Sequence, residues 1–373
     1  MKILFFLFCL AYLNIANAQQ TYLIVGTYDS PKSDGIYVFS FDEENGTAKE
    51  VSHMKISNPS YLTVSKDNRF VYAVSENAKK DGKGGKLMSF SFDQATGKLT
   101  LINEQESGGD HPCHVSLDHT GRWLFVSNYT GGSFSRFAIN ENGAMGEGVT
   151  VKHDGSGPNK ERQASAHVHG AFISNNNKVL HVTDLGMDKL ISYNFDSENG
   201  NINTSEPSYF NTVAGAGPRV LLQSSNRPFA YMIEELSGTI QVFKQYKNAR
   251  LKPIQRISTM QKGDIRFAGS ADLQLSSDSR FLYASNRGDV NNIAIYKVKR
   301  NGKIKFITHQ STLGKTPRNF IIDPSGKFLL VANQNSNEIV VFKRGKASGL
   351  LTDSGNRIKL GKPTCLKWIM IKK

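Results

Sequence analysis

Side chains that can move protons and hold anions recur at matching points of a repeated phrase in this sequence. His167 and His169 alternate along an apolar segment, and Glu235 follows another apolar segment further along the chain. Histidine changes its charge near neutral pH, and a carboxylate beside it can fix its tautomer or share its proton. A framework of repeats needs only one polar residue type at such a point, whereas this set mixes a base, an acid and cations. We therefore expect a functional site where the repeats converge.

The repeated phrase is an apolar strand, a polar turn, a basic or aromatic residue and a second apolar strand. It occupies 59–76 and returns at 112–129. Its aligned turn residues are Arg69, Arg122, Lys178, Pro228, Arg280 and Lys327. A spacing of about 50 residues between strand-rich repeats, with no helical pattern between them, is typical of a β-propeller. A propeller brings the same point of every repeat to one central channel.

Each repeat continues into two further strands, so that four strands make one blade. Residues 22–28 read as a second strand without a first, and residues 361–370 as a first strand without a second. Paired, these ends complete a seventh blade and leave no open sheet edge in the ring. The sequence predicts an all-β, seven-bladed propeller as a single domain over 19–373, with loops at 146–166 and 261–269.

The start of the first strand and the end of the second lie at the same mouth of the channel, because the two strands run antiparallel. Charged groups crowded there are costly to desolvate unless they are paired or used. The predicted functional group at this mouth is His169, Arg219, Glu235 and Arg287, with His167 beside it. The polar residues expected to contact a substrate are Glu76, His114, Asn128, Tyr129, Asp184, Asn286, Arg318, Asn319 and Gln334.

Two other interpretations of these residues stay open. Asparagines at the second-strand ends, such as Asn128 and Asn286, suit hydrogen-bonded rings that tie blades together. The alternating histidines could instead share one strand face and bind a metal, with His114 and Asp184 as further ligands. Nothing in the sequence fixes the geometry of such ligands, so we predict no metal and no other cofactor, with calcium bound by scattered oxygens left open.

The first 18 residues have the pattern of a cleaved secretory signal peptide. Lys2 precedes an apolar run over 3–13, and Ala16-Asn17-Ala18 gives small residues before Gln19. The run is too short to span a membrane, and no other segment approaches that length. We expect an exported protein, periplasmic or extracellular, with no membrane span.

Charge and cysteine content narrow the classes of partner. The formal net charge is +14, but the lysines and arginines are scattered through turns, and no nucleic-acid recognition motif is present. We expect no nucleic-acid partner and leave the oligomeric state open. Cys113 and Cys365 fall on blades that are not neighbours, so we predict buried thiols rather than a disulfide.

Taken in chain order, a set of short motifs resembles the seven-bladed propeller lactonase family, which includes bacterial 6-phosphogluconolactonases and the fungal carboxy-muconate lactonizing enzyme. The resemblance covers essentially the whole chain after residue 18. The motifs are Asp110-His111-Pro112-Cys113-His114, Arg162-Gln163, His167-Val168-His169, Gly217-Pro218-Arg219, Glu235-Leu236, Ala284-Ser285-Asn286-Arg287-Gly288, Pro317-Arg318-Asn319-Phe320 and Val331-Ala332-Asn333-Gln334.

The resemblance implies a metal-free active site at the channel mouth, with His167 or His169, Arg219, Glu235 and Arg287 as its catalytic group. It implies hydrolysis of a small anionic lactone or sugar-acid lactone. A histidine would act as the base, and the arginines would bind the oxyanion or the substrate's acidic group.

Two departures from the family pattern bear on the choice of substrate. Val220 replaces the histidine that usually follows Gly-Pro-Arg, and Glu234 replaces the asparagine that usually precedes Glu-Leu. An exported enzyme would also rarely meet 6-phosphogluconolactone, a cytosolic sugar phosphate. The alternatives are a non-catalytic secreted propeller that binds an acidic ligand or partner protein, and a lactonizing cyclase that acts on a carboxy-muconate-like acid.

Overall fold

Seven four-stranded antiparallel sheets make up the fold in a computed structural model that describes residues 20–79 and 84–371. The predicted leader, residues 1–18, lies outside the described residues. Helical structure in the described ranges consists of a short 3-10 turn at Gln334–Ser336 and the 3-10 position at Lys79. No described helix is long and apolar enough to cross a bilayer.

The strands follow one another in chain order, four to a blade. The first three belong to blade 7 and are β1 (Gln20–Thr27), β2 (Gly35–Asp42) and β3 (Thr47–Lys55). Blade 1 contains β4 (Leu62–Val64), β5 (Phe70–Ser75), β6 (Lys86–Asp93) and β7 (Lys98–Glu106). Blade 2 contains β8 (Pro112–Leu117), β9 (Trp123–Asn128), β10 (Ser133–Ile139) and β11 (Met145–Lys152). Blade 3 contains β12 (Val168–Ile173), β13 (Val179–Asp184), β14 (Lys189–Phe195) and β15 (Ile202–Asn211).

The second half of the chain repeats this arrangement. Blade 4 contains β16 (Pro218–Gln223), β17 (Phe229–Glu234), β18 (Thr239–Gln245) and β19 (Leu251–Ser258). Blade 5 contains β20 (Ser270–Leu275), β21 (Phe281–Asn286), β22 (Asn292–Val298) and β23 (Ile304–Ser311). Blade 6 contains β24 (Pro317–Ile322), β25 (Phe328–Asn333), β26 (Glu338–Arg344) and β27 (Leu351–Lys359). The last strand, β28 (Pro363–Ile371), is the inner strand of blade 7.

Ring closure depends on the two ends of the chain. Strand β28 pairs antiparallel with β1 along its length, from Gln20 opposite Ile371 to Thr27 opposite Pro363. Each inner strand contacts the inner strand of the next blade, and β28 contacts both β24 and β4. The predicted seven-bladed propeller, closed by a blade that both termini share, is confirmed.

Part of one predicted loop is a strand. Residues 145–152 form β11, the outer strand of blade 2, paired with β10. Glycines in this segment interrupt the apolar alternation, so Val149 and Val151 did not indicate a strand in the sequence. Gly148 lies against the Phe137 ring, where a Cβ would come within 2.5 Å of a ring carbon, so a larger residue would not fit. Residues 261–269 contain no strand.

Large apolar side chains fill the spaces between blades. Tyr22 and Ile24 from blade 7 pack with Val71 and Phe90 from blade 1 in one continuous cluster. Burying a side chain of this size stabilises the fold by about 1.5–3 kcal/mol. Cys113 and Cys365 are buried and free, as predicted.

The inner strands share an irregularity at the channel. In β8, β12, β16, β24 and β28, the register with the second strand skips one residue. The skipped residues are Cys113, His169, Arg219, Arg318 and Thr364. A bulge leaves its extra residue unpaired and redirects its side chain, which is why bulges are frequent beside active sites. The repeat therefore positions one redirected side chain on each of these blades.

The junction of blades 7 and 1 gives a test of the closure. A Cβ built on Gly26 in β1 would lie 2.3 Å from the carbonyl oxygen of Pro59, which is backbone and cannot rotate away. We expect Gly26→Ala to lower the free energy of unfolding by about 1–3 kcal/mol, measured by urea denaturation. Gly146→Ala is the matched control, because its Cβ would meet no atom closer than 3.8 Å. Equal stability of the two variants would contradict tight packing at this junction.

Candidate active site

A cavity of about 250 Å³ opens where the inner strands begin and the second strands end. Its lining comes from all seven blades and from one loop between blades 2 and 3. The lining residues are Tyr28, Glu76, Cys113, Tyr129, Arg162, His169, Glu235, Arg287 and Arg318. Of these, His169, Glu235, Arg287, Glu76, Tyr129 and Arg318 were predicted from the sequence.

Glu235 is the centre of an ion-pair cluster. Its Oε2 accepts from Arg219 Nε at 2.8 Å and lies 2.9 Å from an Arg287 guanidinium nitrogen. Its Oε1 accepts from Arg162 at 2.7 Å. Three guanidinium groups thus surround one carboxylate, which is the arrangement that a buried charge needs to be tolerated.

The cluster fixes the charge of this carboxylate. Burial by itself would raise the pKa of Glu235, but Arg287, Arg219 and the Arg162 hydrogen bond together hold it well below its usual range. Glu235 is therefore an anion at any physiological pH. It is too strongly stabilised in that form to take a proton from water.

His169 stands beside the cluster in the neutral form. Its Nε2 is 3.8 Å from Glu235 Oε2, and its Nδ1 is 3.7 Å from the Cys113 sulfur. Burial and the nearby Arg219 guanidinium hold the pKa of His169 well below its ordinary value, although Glu235 acts in the opposite direction. A neutral imidazole with an open ring nitrogen can accept a proton from a bound water.

Arg162 reaches the cavity from the loop over 153–167. It is the most exposed of the three guanidinium groups on Glu235, with 38% of its side chain accessible, and it also donates to the Tyr129 hydroxyl at 3.2 Å. The neighbouring Gln163 is fully buried and donates to Asp188 and to the Leu185 carbonyl, both at 2.8 Å. Gln163 anchors the loop, and Arg162 extends from that anchor over the site.

His167 lies next to the cavity rather than in its lining. Its ring stacks on Tyr129 with centroids 4.6 Å apart, and its Nδ1 is 3.0 Å from the Tyr129 carbonyl oxygen. Of the two alternative histidines, His169 is the one that lines the cavity.

A narrower chamber of about 20 Å³ continues below the cavity. Two predicted contact residues, His114 and Asn319, line it together with Val220 and Asp272. Burial, then Lys367 and Arg219, lower the pKa of His114 to about 3. Asn319 donates to Asp272 at 2.6 Å. This space has room for about one water molecule, so these residues form the floor of the site.

Three predicted contact residues are fully buried inside blades and do not reach the cavity. Asn128 donates to the Ser107 carbonyl at 3.1 Å, and Asn286 donates to the Thr259 carbonyl at 3.1 Å. Asp184 accepts from His153 Nδ1 at 2.7 Å. Ser107, His153 and Thr259 each follow the outer strand of the preceding blade, so these side chains tie neighbouring blades together, which matches the structural alternative for the asparagines. The last predicted contact residue, Gln334, lies in the 3-10 turn and lines neither the cavity nor the lower chamber.

The four side chains proposed as metal ligands do not meet at one point in the structure. His167 and His169 turn to different partners, His114 lies in the lower chamber, and Asp184 accepts from His153 in the loop before blade 3. Within residues 20–79 and 84–371, no group of three or more His, Cys, Asp or Glu side chains could hold an ion.

The sequence prediction missed three lining residues: Tyr28, Cys113 and Arg162. The first two occupy the same aligned repeat positions as residues that were predicted, so the repeat pattern alone could have identified them. Arg162 lies in a loop outside the repeat, and only its place in the Arg162-Gln163 motif drew attention to it.

The sequence matches the family model described as Lactonase, 7-bladed beta-propeller, over residues 22–368. The chain belongs to the seven-bladed β-propeller lactonase family. The 6-phosphogluconolactonase of Formosa agariphila is 38% identical over 336 residues, covering 88% of this chain and 94% of that protein. The 6-phosphogluconolactonase of Bacillus subtilis is 32% identical, covering 92% of this chain and 97% of that protein.

The fold is also shared with a solved structure of similar sequence. The periplasmic gluconolactonase of Pseudomonas aeruginosa superposes with a TM-score of 0.89 at 35% identity, covering 94% of this chain and 99% of that one. Family membership confirms the resemblance that the motifs indicated and supports a lactonase-type hydrolase.

The two departures from the family pattern occupy different places. Val220 lines the lower chamber, where it removes a polar group from the floor of the site. Glu234 points into blade 4, where Oε2 pairs with Arg256 at 2.8 Å and accepts from Ser237 and Thr239. Only Val220 therefore alters the surface that a ligand can approach.

The Glu235 cluster gives a test by stability. We expect Glu235→Gln to lower the free energy of unfolding at pH 7 by about 3–5 kcal/mol, because it leaves three guanidinium groups without their anion. The folded pKa lies below the unfolded value of about 4.3, so this contribution is complete above that pH and declines as the pH falls further. The gap between wild type and variant should therefore narrow in urea denaturation at pH 3.5.

Glu104→Gln is the control for this variant. Glu104 pairs with Lys86 at 2.7 Å on the surface, with 47% of its side chain accessible. Its loss should cost less than about 1 kcal/mol at either pH. A gap for Glu235→Gln that stays constant between pH 7 and pH 3.5 would contradict the depressed pKa.

Proposed function

We propose that the protein hydrolyses the lactone of a sugar acid or related acid in the cavity around Glu235. The relatives named as 6-phosphogluconolactonases and as a periplasmic gluconolactonase support this reaction class. The observation that carries the proposal is His169, a buried neutral imidazole placed 3.8 Å from a carboxylate that three arginines hold ionised.

The reaction adds one water molecule across the ring C–O bond. His169 Nε2 takes a proton from water as the water oxygen attacks the carbonyl carbon. The carbonyl electron pair moves onto oxygen, and the oxyanion develops against the Arg287 guanidinium. The ring C–O bond then breaks, and the departing alkoxide takes the proton back from His169. The product hydroxy acid releases one proton at neutral pH.

The other members of the cluster hold these two residues in place. Arg219 donates from Nε to Glu235 and from a terminal nitrogen to the Ala271 carbonyl, so two of its five N–H donors are used within the protein. Arg287 donates from Nε to the Gly269 carbonyl at 2.9 Å and keeps one edge toward the cavity. Burial lowers the pKa of Arg287 to about 10, so it remains a cation at physiological pH.

A pH-indicator assay with a panel of lactones tests this function. We expect turnover of at least one sugar-acid lactone, and we expect His169→Gln to reduce kcat/KM by about 100-fold or more. Arg287→Gln should cause a loss of similar size. Both variants should keep melting temperatures near that of the wild type, because each leaves Glu235 with at least two arginines.

Exposed residues of the same types provide controls. His53 and Arg280 lie far from the cavity lining and are half-exposed, so His53→Gln and Arg280→Gln should leave turnover unchanged. No turnover above background across the panel would favour a non-catalytic binding propeller. Equal losses of stability and activity in the site variants would favour a purely structural role.

The dependence of activity on pH follows from the neutral histidine. Because the pKa of His169 is lowered, the active neutral form should persist well below pH 6.5. We expect kcat/KM, corrected for spontaneous hydrolysis, to stay level from pH 8 to below 6.5 and to fall only at lower pH. An acid limb centred at or above pH 6.5 would rule out His169 as the base.

We further propose that the chain is exported after removal of residues 1–18. The signal-peptide pattern and the periplasmic location named for the Pseudomonas aeruginosa relative support this. Mass spectrometry of the protein expressed from the full sequence should find Gln19 at the N terminus. An intact chain that begins at Met1 and stays in the cytoplasm would contradict export.

A further inference from the structure

The cavity is built from two separate arcs of the ring. One arc, on blades 3 to 5, carries His169, Glu235 and Arg287. The other arc, on blades 6, 7 and 1, carries Arg318, Tyr28 and Glu76, and we refer to these three residues as the second arc. Because blades follow one another around the ring, the two arcs face each other across the cavity.

Arg318 differs from the other buried arginines in how little the protein holds it. Arg219 and Arg287 each donate hydrogen bonds to a backbone carbonyl and pair closely with Glu235. Arg318 donates no hydrogen bond to any residue in the described part of the chain. Its guanidinium lies over the Tyr28 ring, 5.1 Å from the centroid, and 3.8 Å from Glu76 Oε2. Stacking on the ring fixes the plane of the group and leaves its N–H donors available.

Glu76 is arranged to complement a hydroxylated ligand. Its Oε2 accepts from the Tyr28 hydroxyl at 2.7 Å and from the Ser60 hydroxyl. Within residues 20–79 and 84–371, its Oε1 accepts no hydrogen bond, although the side chain lines the cavity. Burial raises the pKa of Tyr28, so this hydroxyl stays protonated and keeps donating to Glu76. A carboxylate oxygen without a partner suits an O–H donor.

The charge of the whole cavity favours an anionic ligand. Three guanidinium groups, those of Arg162, Arg287 and Arg318, line the space. A fourth, that of Arg219, lines the lower chamber and pairs with Glu235, so four cations stand against the two carboxylates Glu76 and Glu235. With His169 neutral, two positive charges remain unbalanced. Three of the arginines pair with Glu235, so Arg318 is the cation whose donors remain unused.

We propose that the second arc is the specificity subsite of the proposed lactonase. In it, Arg318 binds an acidic substituent of the substrate, a phosphate or a carboxylate, and Glu76 accepts a hydrogen bond from a ring or chain hydroxyl. The substrate class is then a polyhydroxylated lactone that carries an anionic group away from the reacting ester. An unsaturated acid without hydroxyls would leave Glu76 Oε1 without a hydrogen-bond donor. This inference rests on the proposed function.

The test compares lactones that share a ring but differ in charge. Kinetics with 6-phosphogluconolactone and with glucarolactone would separate phosphate from carboxylate recognition, and δ-gluconolactone supplies the neutral reference. We expect Arg318→Gln to raise KM for a charged lactone by about 10- to 100-fold, the value of a charge-assisted hydrogen bond, and to change kcat little. Its effect on δ-gluconolactone should be within about threefold, and Arg318→Lys should recover part of the loss.

Arg280→Gln is the matched control. Arg280 also lies over an aromatic ring, that of Phe281 at 5.7 Å, and pairs with Asp278, but it is in a turn at the other end of blade 5. A loss with Arg318→Gln that is equal for charged and neutral lactones would overturn the subsite. An unchanged KM for every charged lactone would also overturn it.

Binding of the product acids separates this inference from the lactonase proposal. Calorimetry with 6-phosphogluconate, glucarate and gluconate measures the preference for charge without any turnover. A preference for the more highly charged acids that disappears in Arg318→Gln supports the subsite even if no lactone is hydrolysed. Equal affinity of the wild-type protein for all three acids overturns it.

Discussion

The buried carboxylate of Glu235 is the constraint on which the rest of the site depends. Moving a carboxylate or a guanidinium out of water costs several kcal/mol for each ion, and only close pairing with good geometry offsets that cost. Glu235 belongs to blade 4, Arg287 to blade 5, and Arg162 to the loop that leads into blade 3. The ion pairs therefore also fix the relative positions of these segments. A neutral residue at 235 would leave several cations buried beside one another.

The same cluster decides what His169 can do. A histidine surrounded by carboxylates would be protonated and useless as a base, but here burial and Arg219 outweigh the attraction of Glu235. The arginines thus ionise the glutamate and keep the histidine neutral at the same time. Glu235 holds the cations in place and His169 remains available for proton transfer.

The bulges explain why the fold can supply such a site. A regular inner strand would send alternate side chains into the channel and into the blade. The extra residue in β8, β12, β16 and β24 redirects Cys113, His169, Arg219 and Arg318. Repetition of one local irregularity then gives each of these blades a redirected position, and evolution can fill each position with a different residue. The opposite arcs of the cavity can in this way serve chemistry and recognition separately.

The sequence by itself determined the propeller, its blade number and most of the side chains that line the cavity. Repeat spacing is a local property of the chain, and strand alternation and turn residues reveal it without any knowledge of contacts. Alignment of the repeats also placed His169, Arg219, Glu235, Arg287 and Arg318 at one mouth. Only the tertiary structure could separate neighbouring residues by direction, because Glu234 enters its blade and Glu235 enters the cavity.

The structure alone also decided the charge states and the role of Arg162. A pKa depends on burial and on the charges within a few ångströms, and these distances are set by residues far apart in the sequence. Arg162 comes from an irregular loop, whose path depends on the buried anchor Gln163 rather than on any periodic pattern. Periodicity determines which side chains lie at the same level of the circle of blades. Packing between non-repeated segments determines which of these side chains contact one another.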